Sequence, residues 1–177
     1  MNIIKYVVEI KGVRDYLMHK FSEGDPNRKR GSHPTAEEDC EDALYRSENG
    51  IIFVPSRQLE ASIVKASADF KFTGKRTMKD IILSGVIVEP EEIPMEPQEY
   101  VQCSVPVRIQ QARIIKSRPR FKNWSLTFTI VNSDPERILD AKLKDIIIAA
   151  GETRGIGDWR PKFGTFEVIK FERLIKE

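Results

Sequence analysis

Apolar positions recur along the chain with two periods, and the switches between them outline a fold. Residues 2–11, "NIIKYVVEIK", alternate apolar and polar with Val and Ile, which predicts a strand. From 56 to 69 the spacing turns helical. Leu59, Ile63, Ala66 and Phe70 share one stripe, Pro55 precedes, and Ser56 is placed to cap the first free amides. "IILSGVIV" (81–88) predicts a buried strand, and 101–116 and 123–132 predict two more, joined by a turn at "SRPRFKN". Leu139, Leu143, Ile146, Ile147 and Ala150 predict a helix over 135–150, capped by Asp134, with Pro135 at its first position and Gly151 as its stop. "FGTFEVIKFER" (163–173) closes the pattern as a strand. Other segments are weaker. Residues 13–20 fit neither period, and 21–34 are turn-formers and charge. "TAEEDCEDALYR" (35–46) predicts a short acidic helix from Thr35, before the short apolar run "IIFV". Residues 89–99 read as an acidic, Pro-rich loop.

Without its loops the order is β-α-β, a hairpin, then β-α-β. That order predicts an α+β, ferredoxin-like or RRM-like fold, an antiparallel sheet with two helices on one face. The expected domain is single, 1–177, with a β-hairpin in addition. The other sheet face would be free, and RNA-recognition modules use such a face for nucleic acid.

Composition narrows the classes. With 40% hydrophobic and 32% charged residues the chain reads as globular, and no apolar run reaches the length of a membrane span. The N-terminus alternates and carries charge, unlike a signal peptide. Cys40 and Cys103 show no metal spacing and fit a reducing, cytoplasmic setting. Net charge is only +2, but it is segregated. Residues 100–133 contain no acid, and 70–79 carry Lys75 and Arg76 among other cations. Residues 37–42 and 89–99 are acidic blocks.

Enzyme motifs are scarce. There is no phosphate-binding P-loop, no zinc spacing, and "GIGDWRPKFG" does not open a helix, so no cofactor and no metal are expected. His19 and His33, with Lys20 nearby, offer the sole route to a metal-independent RNA endonuclease. Asp15 and Asp25 are acids that nothing raises above background, so no catalytic residue is assigned. Neither histidine is needed for phosphate contact.

Two features favour a polyanion. Arg57 sits in the first helical turn, where the macrodipole disfavours a cation and a phosphate would be welcome. "GETRGIGDWRPKFGTFEV" (151–168) is too long and too basic for a plain connection. There Gly155 and Gly157 allow positive φ or close approach, Arg154, Arg160 and Lys162 add charge, and Trp159 adds a stacking surface. Arg118 and Arg120 in "SRPRFKN" extend the basic set.

"IIFVPSRQLEASIVKA" resembles the start of the first helix in the RAMP superfamily of CRISPR-associated proteins, which are built on RRM-like domains. "GETRGIGDWRPKFGTFEV" is similar to that superfamily's glycine-rich loop between the last helix and last strand, although it reads "IGDWRPKFG" where a run of Gly, Ser and Arg is usual. The resemblance covers about a third of the chain. It implies a backbone-type subunit assembling head to tail along a guide RNA, with 21–50 as the thumb. "DYLMHKF" and "SRPRFKNWSLTF" also resemble phage-encoded proteins. The expected partners are therefore single-stranded RNA or DNA, with RNA favoured, and further copies of the chain, but no membrane. The alternative is a phage-type structural or assembly protein whose charged patches meet other subunits. Between subunits, Arg28, Lys29 and Arg30 are expected to mate with the acidic blocks at 35–46 and 89–99.

Overall fold

A computed structural model describes residues 2–22, 26, 27, 29, 31–109 and 112–174. In chain order the elements are β1 (Ile4–Gly12), β2 (Tyr16–Leu17), α1 (Ala36–Asp42), β3 (Phe53–Pro55), α2 (Ser56–Ser67), β4 (Lys71–Thr73), β5 (Arg76–Thr77), α3 (Lys79–Gly85), β6 (Val86–Glu89), β7 (Glu92–Pro94), β8 (Val101–Ile109), β9 (Ala112–Phe121), β10 (Ser125–Asn132), α4 (Asp140–Ala149) and β11 (Phe166–Arg173).

The main sheet has the order β11-β1-β10-β6, with every neighbouring pair antiparallel. With α2 between β1 and β6, and α4 between β10 and β11, this is the α+β, ferredoxin-like arrangement that the element order predicts. Alternation dictates which side is buried. Tyr6, Val8 and Ile10 of β1 are wholly buried, and with Phe128 and Ile130 of β10 they pack against Leu59, Ile63 and Ala66 of α2 and Leu143, Ile146 and Ile147 of α4. On the opposite face Lys5, Val7 and Glu9 lie beside Val131, Thr129 and Thr127. Ile87 and Glu89 continue that face on β6. None of these positions is aromatic, so they offer no ring on which a base could stack, as RNA-recognition modules do.

A second sheet, β2-β9-β8, stands beside the first, and α1 packs on β9. Tyr16, Phe121 and Trp124, all fully buried, join the two sheets. The Tyr16 ring centroid lies 6.1 Å from that of Phe121 and 5.5 Å from that of Trp124. The Trp124 indole N–H donates to the Arg14 carbonyl at 2.8 Å. Gly12 lies under that indole, where a Cβ would fall 2.5 Å from Trp124 Cε2.

Several boundaries differ from expectation. The strand expected at 101–116 is two strands, folded back between Ile109 and Ala112. "SRPRFKN" is therefore largely the end of β9 and not a turn. Arg118 and Arg120 stay extended there because each finds a carboxylate from another element. The strand expected over 81–88 begins as helix α3 and becomes β6 only at Val86. Gly85 makes the join, packing where a Cβ would come within 2.7 Å of Ile138 Cδ1. The loop expected at 89–99 contains β7, which pairs with β3 and buries Ile93.

Both helix caps also change. Asp134 caps a turn, accepting from Ile138 N through its carbonyl at 2.9 Å, and α4 starts six residues later. Gly151 does not stop the helix. The chain continues through a wider π turn, Ala150–Arg154, to Gly155 at φ 66°. Gly151 is needed because the Phe166 backbone occupies the place of a Cβ. Thr35 does cap α1, in a capping box with Glu38.

Candidate nucleic-acid interface

Helix α2 begins without a side-chain cap. Pro55, not Ser56, stands at its N-cap position, and Ser56 is the first helical residue. The Ser56 amide is satisfied by the Glu91 carbonyl at 2.9 Å. The amides of the next two residues lie in the turn where α-helices have no internal acceptors. Arg57 and Gln58 of this turn line an open pocket of about 460 Å³, together with His19, Ala61, Gly157, Asp158 and Arg160. Neither Arg57 nor Arg160 forms an ion pair among the described residues. An uncapped helix start beside two guanidiniums with no ion pair among the described residues has the charge and the free amides that suit an anion.

Two local arrangements hold this site in place. The first is Tyr16, which the sequence left undecided. Its hydroxyl donates to Gln58 Oε1 at 2.9 Å, and its ring supports Gly157, whose Cβ would lie 2.5 Å from Tyr16 Cε2. Burial raises the pKa of this phenol, so it remains a donor. Tyr16 thus ties the start of α2 to the glycine-rich loop. The second arrangement is on β9, where Lys116, Arg118 and Arg120 point the same way and each meets an acid from a different element. Lys116 pairs with Asp39 of α1, Arg118 with Asp158 of the loop, and Arg120 with Asp15 before β2. Arg118 also lies 5.3 Å from the centre of the Trp159 ring, and Arg120 5.6 Å from that of Phe163. These two arginines hold the loop down. Their charge is already matched inside the chain.

The glycines serve the loop's own path. Gly155 and Gly157 do adopt positive φ, 66° and 82°, and Gly164 joins them at 77°. Ile156 N donates to the Gly164 carbonyl at 2.9 Å, closing the neck of the loop, and a Cβ on Gly155 would lie 2.8 Å from that same oxygen. Trp159 is 39% exposed at the loop tip and leans on Phe163 at 6.2 Å.

The remaining sequence candidates lie elsewhere. Arg154 donates to Asp69 at 2.6 Å just past the C-terminal end of α2, a helix length of about 18 Å from Arg57. Lys75 and Arg76 are exposed on the β4–β5 hairpin, also beyond that end. Lys162 is exposed on the loop. Asp25, Arg28 and Arg30 lie outside the described residues. The acidic blocks are partly engaged within the chain, with Asp39 on Lys116, Glu41 on Arg46 and Glu89 on Lys5. His33 does not line the pocket.

His19, which the sequence offered only as a catalytic candidate, lines this pocket. Partial desolvation and the nearby Arg118 and Lys116 hold its imidazole below the ordinary histidine range, against the opposing pull of Asp158. In the free protein the unfolded chain therefore takes up this proton first, so folding stability falls as pH drops below the ordinary histidine pKa of about 6.5. A phosphate in the pocket favours the imidazolium, so binding has the opposite sign and takes up a proton. Affinity for an anionic strand should rise a few-fold between pH 7.5 and 5.5, and His19→Gln should flatten that rise in a fluorescence-anisotropy titration.

Among the described residues no three His, Cys, Asp or Glu side chains gather as a metal site, and no helix is long and apolar enough to cross a membrane. No family model matches the chain, and no curated protein matches it in sequence. Among solved structures it is similar to a chain of the Type III-B Cmr-beta, determined by cryo-EM bound to cognate target RNA. The TM-score is 0.63 at 10% identity, over 97% of this chain and 61% of that one. At that identity the likeness shows a shared fold, and the present chain spans less than two thirds of its neighbour's length.

Proposed function

We propose that this chain binds single-stranded RNA by its phosphate backbone and serves as one subunit of a CRISPR-associated ribonucleoprotein. The observation that carries the reading is the uncapped start of α2 between the unpaired Arg57 and Arg160. The shared fold with a chain solved in an RNA-bound assembly supports it. Arg57, Arg160, Lys162, Lys75 and Arg76 are the sequence candidates without an ion pair among the described residues, three by the loop and two beyond the far end of α2. If these five each neutralise one phosphate, log K against log salt has a slope near about −3.5 on a single strand, from ~0.7 per contact. A filter-binding titration of a 30-nucleotide RNA between 50 and 300 mM salt measures it. A flat dependence, or no binding at low salt, rules the reading out.

Head-to-tail contact between copies belongs to the same proposal. A groove of about 690 Å³ beside edge strand β11 is lined by Glu152, Glu167, Ile148 and Val168, and by Arg14, whose guanidinium donates to the Pro161 carbonyl at 3.2 Å. The β8–β9 arm carries Arg108, Arg113 and the 70% exposed Ile115. These surfaces complement each other in charge and in apolar character, and a heterologous contact of this kind propagates along a strand. Arg108→Glu with Arg113→Glu should shorten RNA-dependent assemblies in light scattering without unfolding the chain. A wild-type monomer, with and without RNA, excludes the contact.

A further inference from the structure

Arg57 lines a second pocket, on the other side of the start of α2. This cavity of about 490 Å³ is bounded by Tyr45, Phe53, Ser56, Ile87, Glu91 and Glu92. Its chemistry is unlike that of the first pocket. Tyr45 and Phe53 are half-buried and form an open V, with ring centroids 5.7 Å apart and planes at 47°. Such a pair offers stacking surface to a flat ring. Glu60 is pinned, accepting from Val88 N at 2.9 Å. The carboxylates of Glu91 and Glu92 have no hydrogen-bond or ion-pair partner among the described residues and are exposed at the mouth. Ser56 is only 8% exposed, lines the pocket, and its hydroxyl makes no side-chain hydrogen bond among the described residues.

We propose that this pocket takes a guanine base of the bound strand, with the phosphate of the same nucleotide on Arg57. This rests on the RNA-binding reading above and adds a sequence preference to it. Carboxylates repel a phosphate, so the strand's charge belongs on the Arg57–Arg160 side and a base belongs here. A carboxylate only accepts hydrogen bonds. The base that suits it best shows two adjacent donors on its pairing edge. Guanine does so, with N1–H and the 2-amino group meeting the two oxygens of one carboxylate. Adenine and cytosine each show one amino group beside an acceptor nitrogen. Uracil shows one N–H between two carbonyl oxygens, which a carboxylate repels. The Ser56 hydroxyl, on the pocket wall, adds a donor for a ring acceptor. The order of preference is guanine, then adenine and cytosine, then uracil.

The experiment is a fluorescence-anisotropy competition between a 12-nucleotide oligouridine and the same strand with one central guanosine. One good two-point contact gives about tenfold discrimination or more. Inosine, which lacks the 2-amino group, should lose most of the gain. Glu91→Gln with Glu92→Gln should abolish the preference and raise affinity for the all-uridine strand, since two negative charges leave the path of a polyanion. Tyr45→Leu should also lower the preference, and its melting temperature separates that loss from unfolding. Equal affinities for the two strands, both with the expected salt slope, overturn the guanine pocket and leave RNA binding standing. A preference that survives in the double glutamine variant also overturns it. Binding of neither strand overturns both.

Discussion

Replacing Arg57 and Arg160 together by alanine should weaken binding of a 30-nucleotide single-stranded RNA about a hundredfold at low salt. Both residues line the same pocket and form no ion pair among the described residues, since the Asp158 carboxylate beside them is taken by Arg118. A hydrogen bond to a charged group contributes about 1.5 kcal/mol at the lower end of its range, so two contribute about 3 kcal/mol, or two decades of affinity. The slope of log K against log salt should flatten by about 1.4 at the same time. Melting temperature should change little, because exposed cations contribute little to folding. Arg154→Ala is the control. That arginine is held by Asp69 a helix length away, so binding should fall much less. A loss below threefold in the double variant, measured by anisotropy, would remove this pocket from the interface.

Gly157→Val should lower the melting temperature by roughly 10 °C. Two causes add. Backbone at φ 82° costs a side chain with a Cβ about 1–2 kcal/mol. The new Cβ also lands 2.5 Å from Tyr16 Cε2 and 2.7 Å from the Leu17 carbonyl oxygen, neither of which has room to move. Overpacking of that kind costs about 1–3 kcal/mol. A sum near 3 kcal/mol corresponds to that shift at about 2–4 °C per kcal/mol for a chain of this size. Gly50→Val isolates the first cause, since Gly50 has φ 79° and nothing within 4 Å of its Cβ position. Calorimetry that finds the two variants equally stable would show that the loop yields at Gly157. The buried Tyr16 ring would then not fix its position.

How far the sequence spoke depended on whether each signal was local. The stripe Leu59–Ile63–Ala66 and the alternation of β1 and β10 each report a neighbour on one side, and they placed α2 and most of the main sheet correctly. The β8–β9 hairpin was invisible because alternation simply continues through its fold, with no Gly, Asn or Asp at 109–112 to mark a turn. Pro119 and the arginines around it imitate a turn, and only the distant Asp15 and Asp158 explain why they lie extended. The "IILSGVIV" run fits helix and strand equally, and packing of Gly85 on Ile138 decides where one gives way to the other. At the candidate site the oddity of Arg57 and the glycine loop could be read directly. The contribution of Tyr16 and Gln58 could not, because a buried hydroxyl joining two elements 42 residues apart leaves no periodic trace.

The two tryptophans differ in a way that makes the chain its own optical probe. Trp124 is completely enclosed, whereas Trp159 is 39% exposed at the loop tip beneath the Arg118 guanidinium. A small neutral quencher such as acrylamide therefore reaches one emitter and not the other. The accessible fraction of the emission should shrink when a strand covers the loop, while the blue, protected component stays constant. Loss of the core reverses the pattern, shifting the protected component to the red. Trp159→Phe should leave a single protected emitter. One cuvette then separates an event at the loop from an event in the core, with no dye attached.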